Sequence, residues 1–247
     1  MRKVVFALIG CMIIVSCARM ILKPILNPKL EEAKLFHSNT QAEVVFLSMI
    51  HMSSPSFYKD VARKVDSLNG LGFFFIYESV TIEVEDSVQR DLLKRKYRKV
   101  WGTQLSSIGR VDTSSQMFKA VPSDKEKNLI YQPKYSDLNL DLSKATRGDP
   151  SLETLIAAFE QKNGEIELSD CDFETGFEGD YKCSPLSLSL RLDFRENYIL
   201  GYRDSILVER FISLNQPKVA IIYGTNHFKG FYKRLRDYDS DWKEVRD

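Results

Sequence analysis

The chain has 247 residues, of which 43% are hydrophobic and 28% are charged; this composition fits a globular domain and excludes a disordered polar chain. Its length is enough for one substantial domain with its own core. Its 35 basic and 34 acidic residues leave a formal net charge of +1, which gives no reason to expect a nucleic acid as partner.

Residues 1–16 are predicted to be a signal peptide rather than part of the fold. Arg2 and Lys3 precede an apolar run that is too short to span a bilayer. Residues 14–17, Ile-Val-Ser-Cys, resemble the lipobox of bacterial lipoproteins, in which the cysteine is lipidated and becomes the new N-terminus. Cys17 is therefore predicted to carry a lipid such as palmitate and to anchor the protein in the bacterial cell envelope, at the outer membrane. An ordinary signal peptide and an uncleaved anchor are the alternatives.

Residues 17–42 are interpreted as a lipid-anchored tether, and residues 43–247 as a single domain. Apolar runs typical of strands alternate there with segments whose apolar residues recur at helical spacing. This alternation predicts an α/β fold with a central mixed sheet flanked by helices. Two strand-loop-helix units within it each carry one histidine.

In chain order, strands are predicted at residues 44–49, 73–77, 129–131 and 219–223, with an edge strand around Trp242. Helices are predicted to begin at Ser54–Pro55, Asp86, Asp149–Pro150 and Arg195, and to include residues 232–237. Ser or Asp before the first turn and Pro within it are typical helix starts. The basic residues of the helix over 86–101 are interpreted as a solvated face, with contact to anionic lipid as the alternative.

Cys171 and Cys183 remain once the signal peptide and Cys17 are set aside. An oxidising compartment beyond the inner membrane favours a disulfide across the acidic loop between them. Two unpaired thiols are the alternative. A zinc site is disfavoured because neither cysteine has a nearby histidine.

Two of the three histidines follow apolar strands in similar settings. His51 ends the first core strand, and His227 follows the turn that Gly224 begins after the last one. Open α/β sheets place their ligands at such strand ends. Glu78 ends another strand, and a buried strand rarely finishes on an unpaired carboxylate. We therefore predict that His51, Glu78 and His227 share one site, whereas His37, in a polar run, is predicted to lie on the surface.

This pattern resembles the TraB/Tiki superfamily, including its bacterial GumN-like members. Those proteins carry a G-x-x-H after an early strand, a glutamate after the next strand, an Asn/Ala-Asp motif, an arginine on a late helix and a final G-x-x-H-x-x-G. The matching residues, within the range 44–235, are His51, Glu78, Asp141, Arg203, Gly224, His227 and Gly230. The chain departs from the pattern at Ser48, where Gly is usual, and at Asp204, where Asn is usual.

The resemblance implies an EreA/ChaN-like fold and metal-dependent hydrolysis of a peptide or another acyl substrate, with manganese or cobalt rather than zinc. His51, Glu78 and His227 would bind the ion and leave positions open for water. Arg203 would act with Glu78 in catalysis by holding a substrate carboxylate or the developing oxyanion. Asp141 would orient an imidazole from behind.

Each of these residues also has a structural interpretation. Glu78 and Arg203 could form a salt bridge, Asp141 could cap a turn, and a strand-end histidine could be a hydrogen-bonded packing residue. For function, the alternatives are a metal-free hydrolase, a haem- or ligand-binding envelope lipoprotein, and a non-catalytic interaction protein of the same fold.

Overall fold

The computed structural model describes residues 28–102, 129–177 and 180–245. The predicted signal peptide and lipidated Cys17 lie outside the described residues. The strands are β1 (Glu32–His37), β2 (Glu43–Met49), β3 (Met52–Ser53), β4 (Phe74–Tyr77), β5 (Ile130–Tyr131), β6 (Ala145–Arg147), β7 (Lys218–Gly224) and β8 (Trp242–Val245). The α-helices are α1 (Pro55–Gly70), α2 (Ser87–Trp101), α3 (Leu152–Asn163), α4 (Asp170–Glu174), α5 (Leu188–Asp193), α6 (Arg203–Leu214) and α7 (Phe228–Tyr238). A π-helix covers Phe194–Tyr202, and 3-10 turns cover Tyr135–Leu138, Leu142–Lys144 and Thr225–His227.

A mixed sheet with the strand order β6-β4-β7-β2-β1-β8 forms the centre of the fold. The four strands β6, β4, β7 and β2 are parallel, and β1 and β8 extend the sheet in antiparallel fashion. The predicted α/β fold with a central mixed sheet is confirmed. Because parallel strands end at the same edge, the loops after β2, β4 and β7 meet there.

Helices cover both faces of the sheet because its central strands are apolar on both sides. On one face α1 contributes Val61 and Val65, and on the other α6 and α7 contribute Leu207 and Phe231. These four side chains are 0% exposed. Full burial of such a side chain stabilises a fold by roughly 1.5–3 kcal/mol. A third apolar cluster, around Phe194, joins α2, α3 and the π-helix beside the sheet.

The helix starts follow the predicted capping residues, with one correction. Ser54 accepts a hydrogen bond from the Phe57 backbone N–H at 3.3 Å, and Asp86 accepts one from Gln89 at 2.8 Å. The prediction for α3 was wrong, because its cap is Ser151 and not Asp149. The Asp149 side chain is buried beneath the sheet edge instead, so the helix begins after it.

The predicted tether contains the first strand of the sheet. β1 lies within residues 17–42, and it pairs with β2 and β8. The surface position predicted for His37 was also wrong, because its side chain is only 6% exposed. The reason is tertiary: β8 brings Asp239 and Trp242 against His37, and the local polar sequence carries no sign of these distant partners.

Cys171 and Cys183 are joined, with their sulfur atoms 2.08 Å apart. The loop between them packs on α2. Arg98 of α2 is 0% exposed and donates hydrogen bonds to three backbone carbonyls of this loop at 2.9 Å. Lys99 pairs with the buried Asp172 at 2.6 Å. The basic run of α2 is therefore in part a packing face that holds the disulfide loop, and not only a solvated surface.

Within the described ranges, no helix has both the length and the apolar character that crossing a bilayer requires.

Candidate functional site

The sheet edge at the ends of β2, β4 and β7 gathers most of the residues that the sequence singled out. A cavity of about 530 Å³ at this edge is lined by His51, Glu78, Arg203, Gly224 and His227. These residues are far apart in the chain and come together because their strands run parallel side by side. A groove of about 580 Å³ between α6 and α7 contains no histidine and no buried carboxylate, so the first cavity is the better candidate site.

The π-helix forms the opposite wall of this cavity. The helix predicted from Arg195 begins earlier, with α5, and continues through the π-helix into α6. Ile199 and Leu200 contribute an apolar surface, and Arg195 and Glu196 are exposed beside it. Helices of this type are rare and are frequently found at functional sites. It could not be predicted from the sequence, because its side-chain pattern differs little from that of an α-helix.

Glu78 is held by two hydrogen bonds. Its Oε1 accepts from Nη2 of Arg203 at 2.6 Å, and its Oε2 accepts from the backbone N–H of Gly224 at 2.6 Å. Burial raises the pKa of Glu78, but Arg203 and His227 outweigh this effect and leave the pKa below its ordinary value. A Cβ on Gly224 would lie 3.1 Å from Oε2, so the glycine also lets the carboxylate approach the turn.

Arg203 lies between two carboxylates. Its Nε donates to Oδ1 of Asp149 at 2.6 Å, while Nη2 binds Glu78. Asp149 is 4% exposed, and it also accepts hydrogen bonds from the Ser79 backbone N–H and the Tyr223 hydroxyl. Burial works against the charge of Arg203, but Tyr223, Asp149 and Glu78 raise its pKa well above the ordinary value. The guanidinium is thus engaged on two sides by the protein itself, as the salt-bridge interpretation expected.

Asp149 was missed as a site residue by the sequence reasoning. Its position before a proline is typical of a helix start, and this local explanation hid its partner on α6. One feature of the sequence could have indicated it. Ser151, two positions later, is an equally good helix cap, so Asp149 is not needed for capping.

His227 is oriented by a neighbour of Arg203. Its Nδ1 lies 2.6 Å from Oδ1 of Asp204, and both side chains are buried. Burial raises the pKa of Asp204 despite the opposing effect of His227. The other ring nitrogen, Nε2, faces Oε1 of Glu78 at 3.9 Å. The described residues provide no hydrogen bond to Nε2, so it is the nitrogen of this ring that a ligand can reach.

Gly230 lies directly against Asp204. A Cβ at this position would be 2.8 Å from Cγ of Asp204 and closer still to Oδ2. The sequence motif therefore includes Gly230 because the carboxylate occupies the space of a side chain. Asp204 itself stood out in the sequence only as a departure from the family pattern.

His51 lies on the cavity rim with an exposed side chain. Among the described residues, the group of three His, Cys, Asp or Glu ligand atoms that lie within 4.8 Å of one another is His37, Asp239 and Asp241. The predicted ligands His51, Glu78 and His227 thus share one cavity but do not reach that separation.

Asp141 lies elsewhere. It caps the 3-10 turn over Leu142–Lys144, where its Oδ1 accepts from the backbone N–H of Ser143 at 3.0 Å. Its side chain is 48% exposed and does not line the cavity. The carboxylate that orients an imidazole in this structure is Asp204, and Asp141 has the capping role that was the alternative.

The described contacts of the group around His37 are those of a structural hydrogen-bond network. The Thr40 backbone N–H donates to Nδ1 of His37 at 3.2 Å, so Nδ1 holds the lone pair. Nε2 therefore carries the proton that it donates to Asp239 at 2.9 Å. A metal ion at Nε2 would have to replace this hydrogen bond and shift the ring proton to Nδ1, where it would break the contact with the Thr40 N–H and leave the Thr40 hydroxyl, at 3.0 Å, as acceptor.

No protein-family model matches the chain, and neither do any curated protein or solved structure. The TraB/Tiki resemblance therefore stays a prediction that rests on the sequence motifs, and function has to be argued from the cavity.

Proposed function

We propose that the chain is a lipid-anchored hydrolase of the bacterial cell envelope, with a TraB/Tiki-like site that uses a divalent cation to activate water. The observation that carries this proposal is the pairing of His227 with Glu78. A buried imidazole, fixed at Nδ1, presents Nε2 to a cavity at 3.9 Å from an anionic carboxylate oxygen.

This separation is close to what one ion requires. Metal–nitrogen and metal–oxygen bonds of roughly 2.0–2.2 Å place two ligand atoms of one ion about 3–4 Å apart. At 3.9 Å, Nε2 of His227 and Oε1 of Glu78 already lie within that range. His51 is exposed on the rim of the same cavity, and a change of rotamer would make it the third ligand.

Glu78 is the anionic group through which the site could attract a cation. Its carboxylate lines the cavity, whereas Asp149 is paired with Arg203, and Asp204 lies beside His227 with Arg234 nearby. Buried carboxylates are costly unless a positive charge compensates them. A divalent ion next to Glu78 would supply that charge and would lower the pKa of bound water, so that hydroxide forms at neutral pH.

Arg203 has a different role in this proposal from the one that the sequence suggested. Its Nε is used by Asp149 and its Nη2 by Glu78, so we assign Arg203 to holding Glu78 in place rather than to binding a substrate carboxylate. The acyl substrate would lie along the apolar wall of Ile199 and Leu200. A peptide with an apolar side chain next to the scissile bond fits this surface best.

Isothermal titration of the full chain with manganese, cobalt and zinc tests the metal. We expect binding at micromolar concentration that is lost in the double variant His51→Ala/His227→Ala. His37→Ala is the matched control, because this histidine is buried outside the cavity, and it should bind as the wild type does. Absence of binding, or equal binding by the double variant, would refute the metal-dependent mechanism.

Metal-free hydrolysis is the second candidate, and a specific observation favours it. Both oxygens of Glu78 already accept hydrogen bonds, from Arg203 and Gly224, and a metal must share them. His227 with Asp204 behind it has the arrangement of a general base. In that case hydrolysis of a peptide library would persist in excess chelator and still disappear in His227→Ala.

Anchoring through Cys17 is a separate part of the proposal and rests on residues 14–17. Cells that express the chain should incorporate labelled palmitate into it and retain it in the outer-membrane fraction. Cys17→Ala should abolish the label. Label that remains in the Cys17→Ala variant would show that the lipid is attached to another residue.

A further inference from the structure

We propose that Asp204 and Gly230 act as one positioning unit, in which the missing side chain of Gly230 lets the Asp204 carboxylate fix His227 as the Nδ1–H tautomer with Nε2 open to the cavity. The use of Nε2 in hydrolysis rests on the proposed function above. The tautomer and its dependence on Gly230 do not, so they can be tested separately.

The contact between Asp204 and His227 sets the direction of the hydrogen bond when the carboxylate is ionised. An ionised carboxylate can only accept, so Nδ1 of His227 then donates across the 2.6 Å separation. The two side chains are 3% and 4% exposed, and little water is present to compete for this bond. The neutral ring then has its lone pair on Nε2, the nitrogen that faces Glu78.

Gly230 makes this contact possible. The space that a side chain at residue 230 would need is filled by Asp204, whose Cγ would be 2.8 Å from an added Cβ. Asp204 cannot simply move away, because it follows Arg203 directly at the start of α6 and Arg203 is held by Glu78 and Asp149. Any side chain at residue 230 must therefore displace the carboxylate from His227 or move α7 away from α6.

A packing role and a positioning role predict different results for the ring of His227. If Asp204 merely fills space, its removal changes stability but leaves the tautomer as it was. If Asp204 positions the ring, its removal changes which nitrogen carries the proton. Asp204→Asn is the informative conservative variant, because its amide oxygen can still accept from Nδ1–H.

Nitrogen-15 NMR of histidine-labelled full chain, with metal removed by chelation, reads the tautomer directly. The chain has three histidines, so His37→Ala and His51→Ala assign the signals. We expect the Nδ1–H pattern for His227 in the wild type and in Asp204→Asn. Asp204→Ala and Gly230→Ala should give a mixture of both tautomers. Retention of the pure Nδ1–H pattern in Asp204→Ala and Gly230→Ala would overturn the proposal.

A double-mutant cycle tests whether the two residues form one unit. Gly230→Ala should lower the melting temperature when Asp204 is present and should cost little more in the Asp204→Ala background, where the space is free. Gly70→Ala in α1 is the matched control, because its added Cβ meets no atom within 4 Å; it should leave both the melting temperature and the His227 signals essentially unchanged. Additive losses in the cycle would show that the residues act independently. Should the tautomer respond as expected while no variant hydrolyses any peptide, the proposed function fails and the positioning unit stands.

Discussion

His37 and His227 are 6% and 4% exposed, yet their rings are used in different ways. Both nitrogens of His37 have protein partners, Thr40 at Nδ1 and Asp239 at Nε2. His227 has one described partner, Asp204 at Nδ1, and its other nitrogen faces a cavity. Burial alone therefore does not distinguish a structural histidine from one that is available to a ligand. The useful criterion is the number of ring nitrogens that already have a hydrogen-bond partner in the protein.

The positions of the two residues in the sheet explain the difference. His37 ends β1 at the antiparallel side, where β8 returns alongside and supplies partners from residues 239–242. His227 follows β7 at the end of the parallel strands, where the chain leaves the sheet and the cavity begins. Parallel topology leaves this edge open, and the side chains there remain available to a ligand.

The largest expected difference between the two histidines is in catalysis. His227→Ala should lower the rate of hydrolysis by about 10²–10⁴-fold, because it removes a metal ligand or a general base. His37→Ala should keep the rate per folded molecule. The measurement is kcat on the best substrate from a peptide screen, with the folded fraction determined by circular dichroism. Equal losses of rate in the two variants would contradict the assignment of a catalytic role to His227 and a structural role to His37.

The second largest effect is expected on stability, from the buried ion pair of Asp149 with Arg203. Asp149→Ala leaves the buried Arg203 with one carboxylate partner and removes the acceptor for Ser79 and Tyr223. Removing one partner of a buried ion pair costs about 3–5 kcal/mol of unfolding free energy, and urea titration measures it. Asp141→Ala, at an exposed carboxylate that caps a 3-10 turn, is the control and should cost clearly less than Asp149→Ala. Similar values for the two would mean that Asp149 is not a structural support of the site.

His37 should have an effect on stability only. His37→Ala removes the partly buried hydrogen bonds to Asp239 and Thr40 and the ring contact with Trp242, with an expected loss of about 1–3 kcal/mol in unfolding free energy. Metal binding measured by calorimetry should not change. A variant that loses metal affinity while it stays folded would place a functional ion at His37 and contradict the structural assignment.

The smallest effect concerns pH at the His37 contact. His37 holds the pKa of Asp239 below its ordinary value, so the pair stabilises the fold above about pH 4 and this stabilisation is lost as the pH falls through the folded-state pKa. Asp239→Asn should therefore be less stable than the wild type at neutral pH, and the gap should shrink on acidification. Urea titrations at several pH values give the comparison, and a gap that widens in acid would reverse the sign of this contribution.

The fold was largely predictable because its signals are local. The apolar run of β2, the Ser54–Pro55 start of α1 and the glycine that ends β7 each act over a few residues, and the structure agrees with them. The strand β1 was not predictable in this way. Its residues are partly polar, and only the pairing with β2 and β8 makes them a strand.

The candidate site was predictable in its strand-end residues and not in their partners. His51, Glu78 and His227 follow strands, and parallel topology alone brings them to one edge. Asp149 and Asp204 act through contacts between elements 54 and 23 residues apart, and nothing local reveals such contacts. Sequence reasoning therefore found the groups that face the cavity and missed those that hold them.

Arg203 and Asp204 are consecutive, and successive residues of a helix point about 100° apart. These two residues, at the start of α6, therefore contact the ends of two strands: Arg203 binds Glu78 after β4, and Asp204 binds His227 after β7. A shift in the register of α6 by one residue would place the carboxylate of Asp204 where the guanidinium of Arg203 now lies, next to Glu78 and Asp149. The register of α6 therefore decides which charge faces Glu78, and a change of one residue would replace a positive group there by a negative one.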